Sequence, residues 1–137
     1  MKKFVALLVL SLISFPSWSE TFDELVFRID DDRYYKKFSD VPFTGEIKSK
    51  TDIGQIVDGK RDGPWVQYHD NGQLFSKGDY KNGKQEGPWV FYFDDGRLWM
   101  KGALQDGRRH GRWVHYDGSK LDKLNSGVFK NGEKISD

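Results

Sequence analysis

The string DGKRDGPW at residues 58–65 returns as NGKQEGPW at 82–89 and as DGRRHGRW at 106–113, so the starts lie 24 residues apart both times. A fixed period of roughly 20 to 50 residues is the mark of a repeat array. One such unit cannot bury a hydrophobic face alone. It becomes stable by stacking on its neighbours, so stability is a sum over adjacent interfaces. This constrains the fold more tightly than any other feature of the chain.

Aligned at that step, the columns are plain. Gly59, Gly83 and Gly107 mark the junctions between units, and Gly63, Gly87 and Gly111 follow them. Then come Trp65, Trp89 and Trp113, the valines 66, 90 and 114, and Tyr68, Tyr92 and Tyr116. Gly72 matches Gly96, Leu74 matches Leu98, and Gly78 matches Gly102. The third unit carries one extra residue, so Gly127, Phe129 and Gly132 fall one place late, which implies a bulge or a longer loop.

Each unit holds two Asx-Gly marks, one inside (DNGQL, DDGRL, YDGSK) and one at the junction. Asn-Gly and Asp-Gly supply the positive φ angles of tight hairpin turns. Two turns per unit leave two strands of ordinary length. Between turns the residues alternate. Val66 and Tyr68 are expected on one face, with Trp65 and Gln67 on the other. In LFSKGDY the same rule puts Leu74, Ser76, Gly78 and Tyr80 on one face, with Phe75 and Lys77 opposite. The expected fold is all-β: an elongated, single-layer, twisted antiparallel meander of β-hairpin repeats. The glycines are read as turn residues or as places where a ring lies over bare backbone.

Composition agrees. The chain of 137 residues is 31% charged but also 15% aromatic, which a disordered chain is not. It has 22 basic and 21 acidic side chains, so no global field recruits nucleic acid or a membrane surface. The opening MKKFVALLVLSLISFPSWSE has two lysines, an apolar run and small residues at Ser17 and Ser19. It reads as a helical signal peptide over residues 1–19, cleaved after Ser19, with a membrane anchor as the outcome if cleavage fails. Periplasmic or secreted localisation in a bacterial envelope follows. The absence of cysteine excludes a lipoprotein anchor, disulfides and thiol chemistry.

The mature domain then spans residues 20–137. An atypical start at 20–58 precedes units 59–82, 83–106 and 107–131, and a tail covers 132–137. In ELVFRIDDDRYYKKF, Leu25 to Ile29 and Arg33 to Phe38 are expected to pair as a hairpin across DDD. Phe22, Leu25, Val26 and Ile29 also have helical spacing, but β-branched and aromatic residues favour strands. DVPFTGEIKSKTDIGQIVDGK reads as a degenerate first repeat, and GVFKNGEKISD as a last strand and cap whose charges protect an edge.

These columns resemble MORN repeats, in the bacterial variant that runs Gly-Lys-x-x-Gly-x-Trp-x-x-Tyr-x-x-Asn-Gly-x-Leu-x-x-x-Gly-x-Tyr. Residues 59–80 and 83–104 carry the pattern nearly throughout, and 107–129 carry it with the insertion. YYKKFSDVPFTG at 34–45 is similar to the segment that precedes the array in exported members. Many such proteins go by the label YwqK-type antitoxin. The resemblance implies a sheet used as an interaction platform, with protein, membrane and lipid contacts associated with such arrays elsewhere. It also implies an alternative role, an antitoxin-like or immunity-like protein that neutralises a toxin by docking on it.

No pattern of catalytic chemistry stands out, and the expectation is a non-enzyme without cofactor or metal. His69, His110 and His115 sit in no metal-ligand frame, and a metal needs three or four converging ligands. Asp94 and Asp95 share a turn with the column of Asp70 and Asn71, so they read as turn residues. Lys60, Arg61, Lys84, Arg108 and Arg109 recur at the junctions and are expected to line one edge. Acidic neighbours dilute that edge, which argues against nucleic acid and leaves an anionic lipid or glycan as its possible ligand. Candidate partner-binding residues are those that break their columns. Phe91 stands where the first unit has Gln67, Phe93 where it has His69, and Trp99 where it has Phe75. Phe75, Phe91, Phe93 and Trp99 are therefore the expected docking face for an envelope protein or another copy of the chain, or are packed by the N-terminal hairpin or by an uncut leader.

Overall fold

The computed structural model describes residues 19–137. The expected leader lies outside the described residues except for Ser19, the first residue of a strand. The strands in chain order are β1 Ser19–Glu20, β2 Leu25–Arg28, β3 Arg33–Lys36, β4 Gly45–Lys48, β5 Asp52–Val57, β6 Lys60–Tyr68 and β7 Leu74–Lys81. They continue as β8 Lys84–Tyr92, β9 Leu98–Gln105, β10 Arg108–Asp117, β11 Lys120–Leu121, β12 Gly127–Lys130 and β13 Glu133–Ser136. From β4 to β13 each strand pairs antiparallel with the next, except that β11 folds back on β10 beside the path. The sheet is open and does not close into a barrel. At about 4.8 Å per strand, the path is roughly 43 Å long.

The junction turns are two-residue turns with both residues left-handed. The φ angles are 49° and 77° at Asp58–Gly59, 51° and 84° at Asn82–Gly83, 50° and 76° at Asp106–Gly107, and 51° and 87° at Asn131–Gly132. This is the geometry whose twist matches paired strands, and it is why Asx-Gly recurs there. The turns inside the units are longer. Only Gly72, Gly96 and Gly118 take positive φ in them, and the His69 N–H donates to the Gln73 carbonyl at 2.8 Å.

The tryptophan column is locked identically in every unit. The ring of Trp65 lies on Gly54, that of Trp89 on Gly78 and that of Trp113 on Gly102. Each indole N–H donates to the carbonyl one residue past that glycine, at 3.2 Å to Gln55, 3.1 Å to Asp79 and 2.8 Å to Ala103. To let the ring reach across, three residues of its own strand face the single glycine, so pairing skips from Asp62 to Val66 and from Glu86 to Val90. Gly63, Gly87 and Gly111 open each such irregularity with φ between 72° and 75°. The three tryptophans are 1–2% exposed, although they belong to one layer.

Two features depart from a pure antiparallel meander. β1 pairs parallel with β4, and β2–β3 form a separate two-stranded sheet instead of another rung. The helical spacing at 22–29 resolves into a short 3-10 turn at Phe22–Glu24 followed by strand. This N-terminal layer covers the first repeat. Phe22 stacks on Trp65 at 5.8 Å, and Leu25, Phe43, Ile47 and Ile56 join the same buried cluster. The one-residue insertion of the third unit is absorbed in the loop after β11. Trp113 therefore still pairs with Gly127, as Trp65 pairs with Gly78 and Trp89 with Gly102.

Candidate functional site

The tryptophan face carries the four residues singled out by their broken columns, and the fold brings all four together. Phe75 meets Phe91 edge-on at 6.0 Å, Phe91 meets Trp99 at 6.3 Å, and Trp99 meets Phe93 at 6.0 Å. Phe91 also stacks on Trp89 at 5.8 Å, which ties the cluster to the buried column. All four are half-buried.

Simple alternation does not produce this arrangement, and here the structure corrects it. Gln67 pairs with Ser76 but Tyr68 pairs with Leu74, so Phe75 is the extra residue of a bulge. The bulge puts Phe75 with Ser76 instead of opposite it. Leu74 is displaced from the Ser76 face and pairs with Tyr68. The next hairpin repeats this at Trp99, where Phe91 pairs with Met100 and Tyr92 with Leu98. Ser76 is fully buried and donates its hydroxyl to Gln67 Oε1 at 3.0 Å.

Histidines close both ends of the ring chain. His69 meets Phe75 edge-on at 4.9 Å and donates from Nε2 to the Tyr92 carbonyl at 2.9 Å. His115 meets Trp99 at 5.9 Å and pairs through Nδ1 with Asp122 at 3.2 Å. The Asn125 side-chain amide, the Asn125 and Leu124 N–H groups and His115 together hold the Asp122 carboxyl below the usual carboxylate range. These contacts are structural in character. Among the described residues, no group of three or more His, Cys, Asp and Glu side chains is placed to hold a metal ion.

The five junction cations do not share one exposed row. The Arg61 guanidinium lies over Phe22, Trp65 and Tyr80 at 5.0, 4.7 and 5.2 Å, and it donates to the Tyr80 hydroxyl at 3.0 Å. Arg109 lies over Trp113 and Phe129 at 4.9 and 5.2 Å. Both act as polar lids on the ring column. Lys84 and Arg108 line a separate recess with Gln105, Asp106 and Asn131, and Lys60 flanks the turn at Gly83.

Two further features were not legible as sites. Phe38 is fully exposed and left-handed at φ 64°, just past the N-terminal hairpin. Its sequence context, KKFSD, offers no signal of that. The second is the opposite face of the main sheet, where an open groove of about 720 Å³ runs over Val66, Lys77, Val90, Lys101 and Val114. The valine column was visible in the repeat, but its interleaving with lysine needs the strand register.

An open array of hairpins with one locked tryptophan per unit defines a β-hairpin repeat protein. Comparison with protein-family models matches residues 61–82 to the MORN repeat variant. That segment is most of β6 and all of β7; the next unit repeats its register, and the third repeats its Trp–Gly pairing. No curated protein matches the chain.

Proposed function

We propose that this protein is a non-catalytic scaffold exported to a bacterial envelope, and that its ring face of Phe75, Phe91, Phe93 and Trp99 docks a protein partner there. The observation that carries this reading is the continuity of the four rings. Three of them stand where the first unit has a different side chain, yet the fold joins them into one surface. Among the described residues, the N-terminal layer makes its ring contact with the main sheet at Trp65, not at these four. Half-buried aromatics that are clustered and held by neighbouring rings are pre-ordered, and ordering cost is what weakens flexible binding surfaces. The repeat match supports a binding role in place of a reaction.

The test replaces Phe93 and Trp99 with serine and leaves Phe91 on its tryptophan. Affinity capture from the envelope fraction is then compared with the melting temperature. The reading predicts that capture of a specific partner falls at least about tenfold while melting shifts by only a few degrees. Equal capture by parent and variant, or unfolding of the variant, would sink it. Cell fractionation with N-terminal sequencing checks export. The expected product is periplasmic and begins at Glu20.

A further inference from the structure

The face opposite the tryptophans has a composition of its own. Val66 pairs directly with Lys77, Lys77 with Val90, Val90 with Lys101, and Lys101 with Val114. Residues directly opposite in register share a face, so these five form one row running across five strands. The lysines are exposed and the valines half-buried. The groove along this row has Lys77, Lys101 and Arg112 on its lining against one carboxylate, Asp79. Among the described residues, none of these three cations has an ion-pair partner. An apolar floor with two unpaired lysines set one interval apart is complementary to a ligand that alternates carboxylates with small apolar groups.

The interval narrows the ligand further. Lys77 and Lys101 stand two strands apart, roughly 9.6 Å. Three residues of polyproline II span about 9.3 Å, close to that step. Two turns of α-helix span about 10.8 Å and miss that step by more than about 1 Å. Same-face residues of an extended strand recur at about 6.7 Å and fall out of step at once. A second copy of this chain, face to face, offers the two lysines no carboxylate from its own row.

We propose that this groove binds an acidic polyproline II segment of a partner protein, with a carboxylate at every third residue, laid across the strands along the Val66–Val114 row. Its carboxylates meet Lys77 and Lys101, and the residues between rest on the valines. This goes beyond the ring-face reading and uses the other side of the sheet.

The experiment measures fluorescence anisotropy of a labelled peptide of about 12 residues repeating Pro-Pro-Glu, which holds polyproline II. Controls are a peptide of the same composition with its glutamates contiguous, and a helical acidic peptide. The spaced peptide is expected to bind saturably at low salt, at least about tenfold tighter than either control, and to weaken as salt rises. Lys77→Gln with Lys101→Gln should abolish binding at an unchanged melting temperature, and Val90→Asp should also abolish it by placing on the floor a charge like that of the peptide. The proposal is overturned by no saturable binding, by equal affinity for the contiguous or helical peptide, or by lysine variants that bind as the parent does. Partner capture by the ring face reads different residues, so the two readings fail separately.

Discussion

At Gly78 there is no space for even a methyl group: a Cβ there would sit 2.3 Å from Cδ2 of Trp89 and 2.4 Å from Cε2. Gly63 is the contrary case, with open space around it but a φ of +75°. One column of glycine answers to a ring and the other to a backbone angle. Gly78→Ala must push the locked indole off its carbonyl and is expected to cost about 3 kcal/mol. Gly63→Ala meets only the left-handed penalty, about 1–2 kcal/mol. Urea unfolding followed by tryptophan fluorescence checks both, and equal losses would contradict the division of roles. The sequence shows both columns with equal clarity. It does not tell them apart, because the difference lies in what approaches each glycine from the next strand. For the same reason the basic residues split: Lys60 and Arg61 are neighbours, yet only Arg61 lies on the rings.

Among the elements, the loop after β11 is where the third unit stores its extra residue. Asp122 organises it by accepting from the Leu124 and Asn125 N–H groups at 2.9 and 3.2 Å, and from the Asn125 amide at 2.7 Å, while it pairs with His115. Its carboxyl is depressed in the fold, so it stays ionised where the unfolded chain has begun to take up a proton. Its contribution is therefore complete above the ordinary carboxylate range and is lost as pH falls through the folded value. Asp122→Asn should lower the melting temperature at neutral pH, and the gap to the parent should close in strong acid. Thermal melts by circular dichroism at both pH values measure this, and a gap that does not depend on pH would contradict the role. Elements were the most legible scale in the sequence, since Asx-Gly at both turns places every strand of the array. The exceptions are the bulges at Phe75 and Trp99. They leave no mark in LFSKG or LWMKG, because a bulge is set by the register of the partner strand, here the pairing of Gln67 with Ser76 and of Phe91 with Met100.

Taken whole, the molecule is close to one-dimensional, and that can be tested by removing a unit. Deleting residues 83–106 joins Asn82 to Gly107, remakes the Asx-Gly junction, and offers Gly78 to the ring of Trp113. The shortened chain is expected to keep a strand-rich circular dichroism spectrum and to melt cooperatively at a lower temperature, because it has lost two strand interfaces. A chain that does not fold would mean that the core is global instead of nearest-neighbour. The N-terminal layer marks the limit of the one-dimensional description, since β2–β3 pack over the first repeat instead of extending it. The period, the turns, the all-β class and the identity of the column breakers follow from the amino-acid order alone, because they depend on local backbone preference and on recurrence. Which residues share a face across strands was decided only by the tertiary structure: the chain of four rings, the lids of Arg61 and Arg109, and the valine–lysine row. Register and bulges are properties of paired strands, and a single strand does not contain its partner.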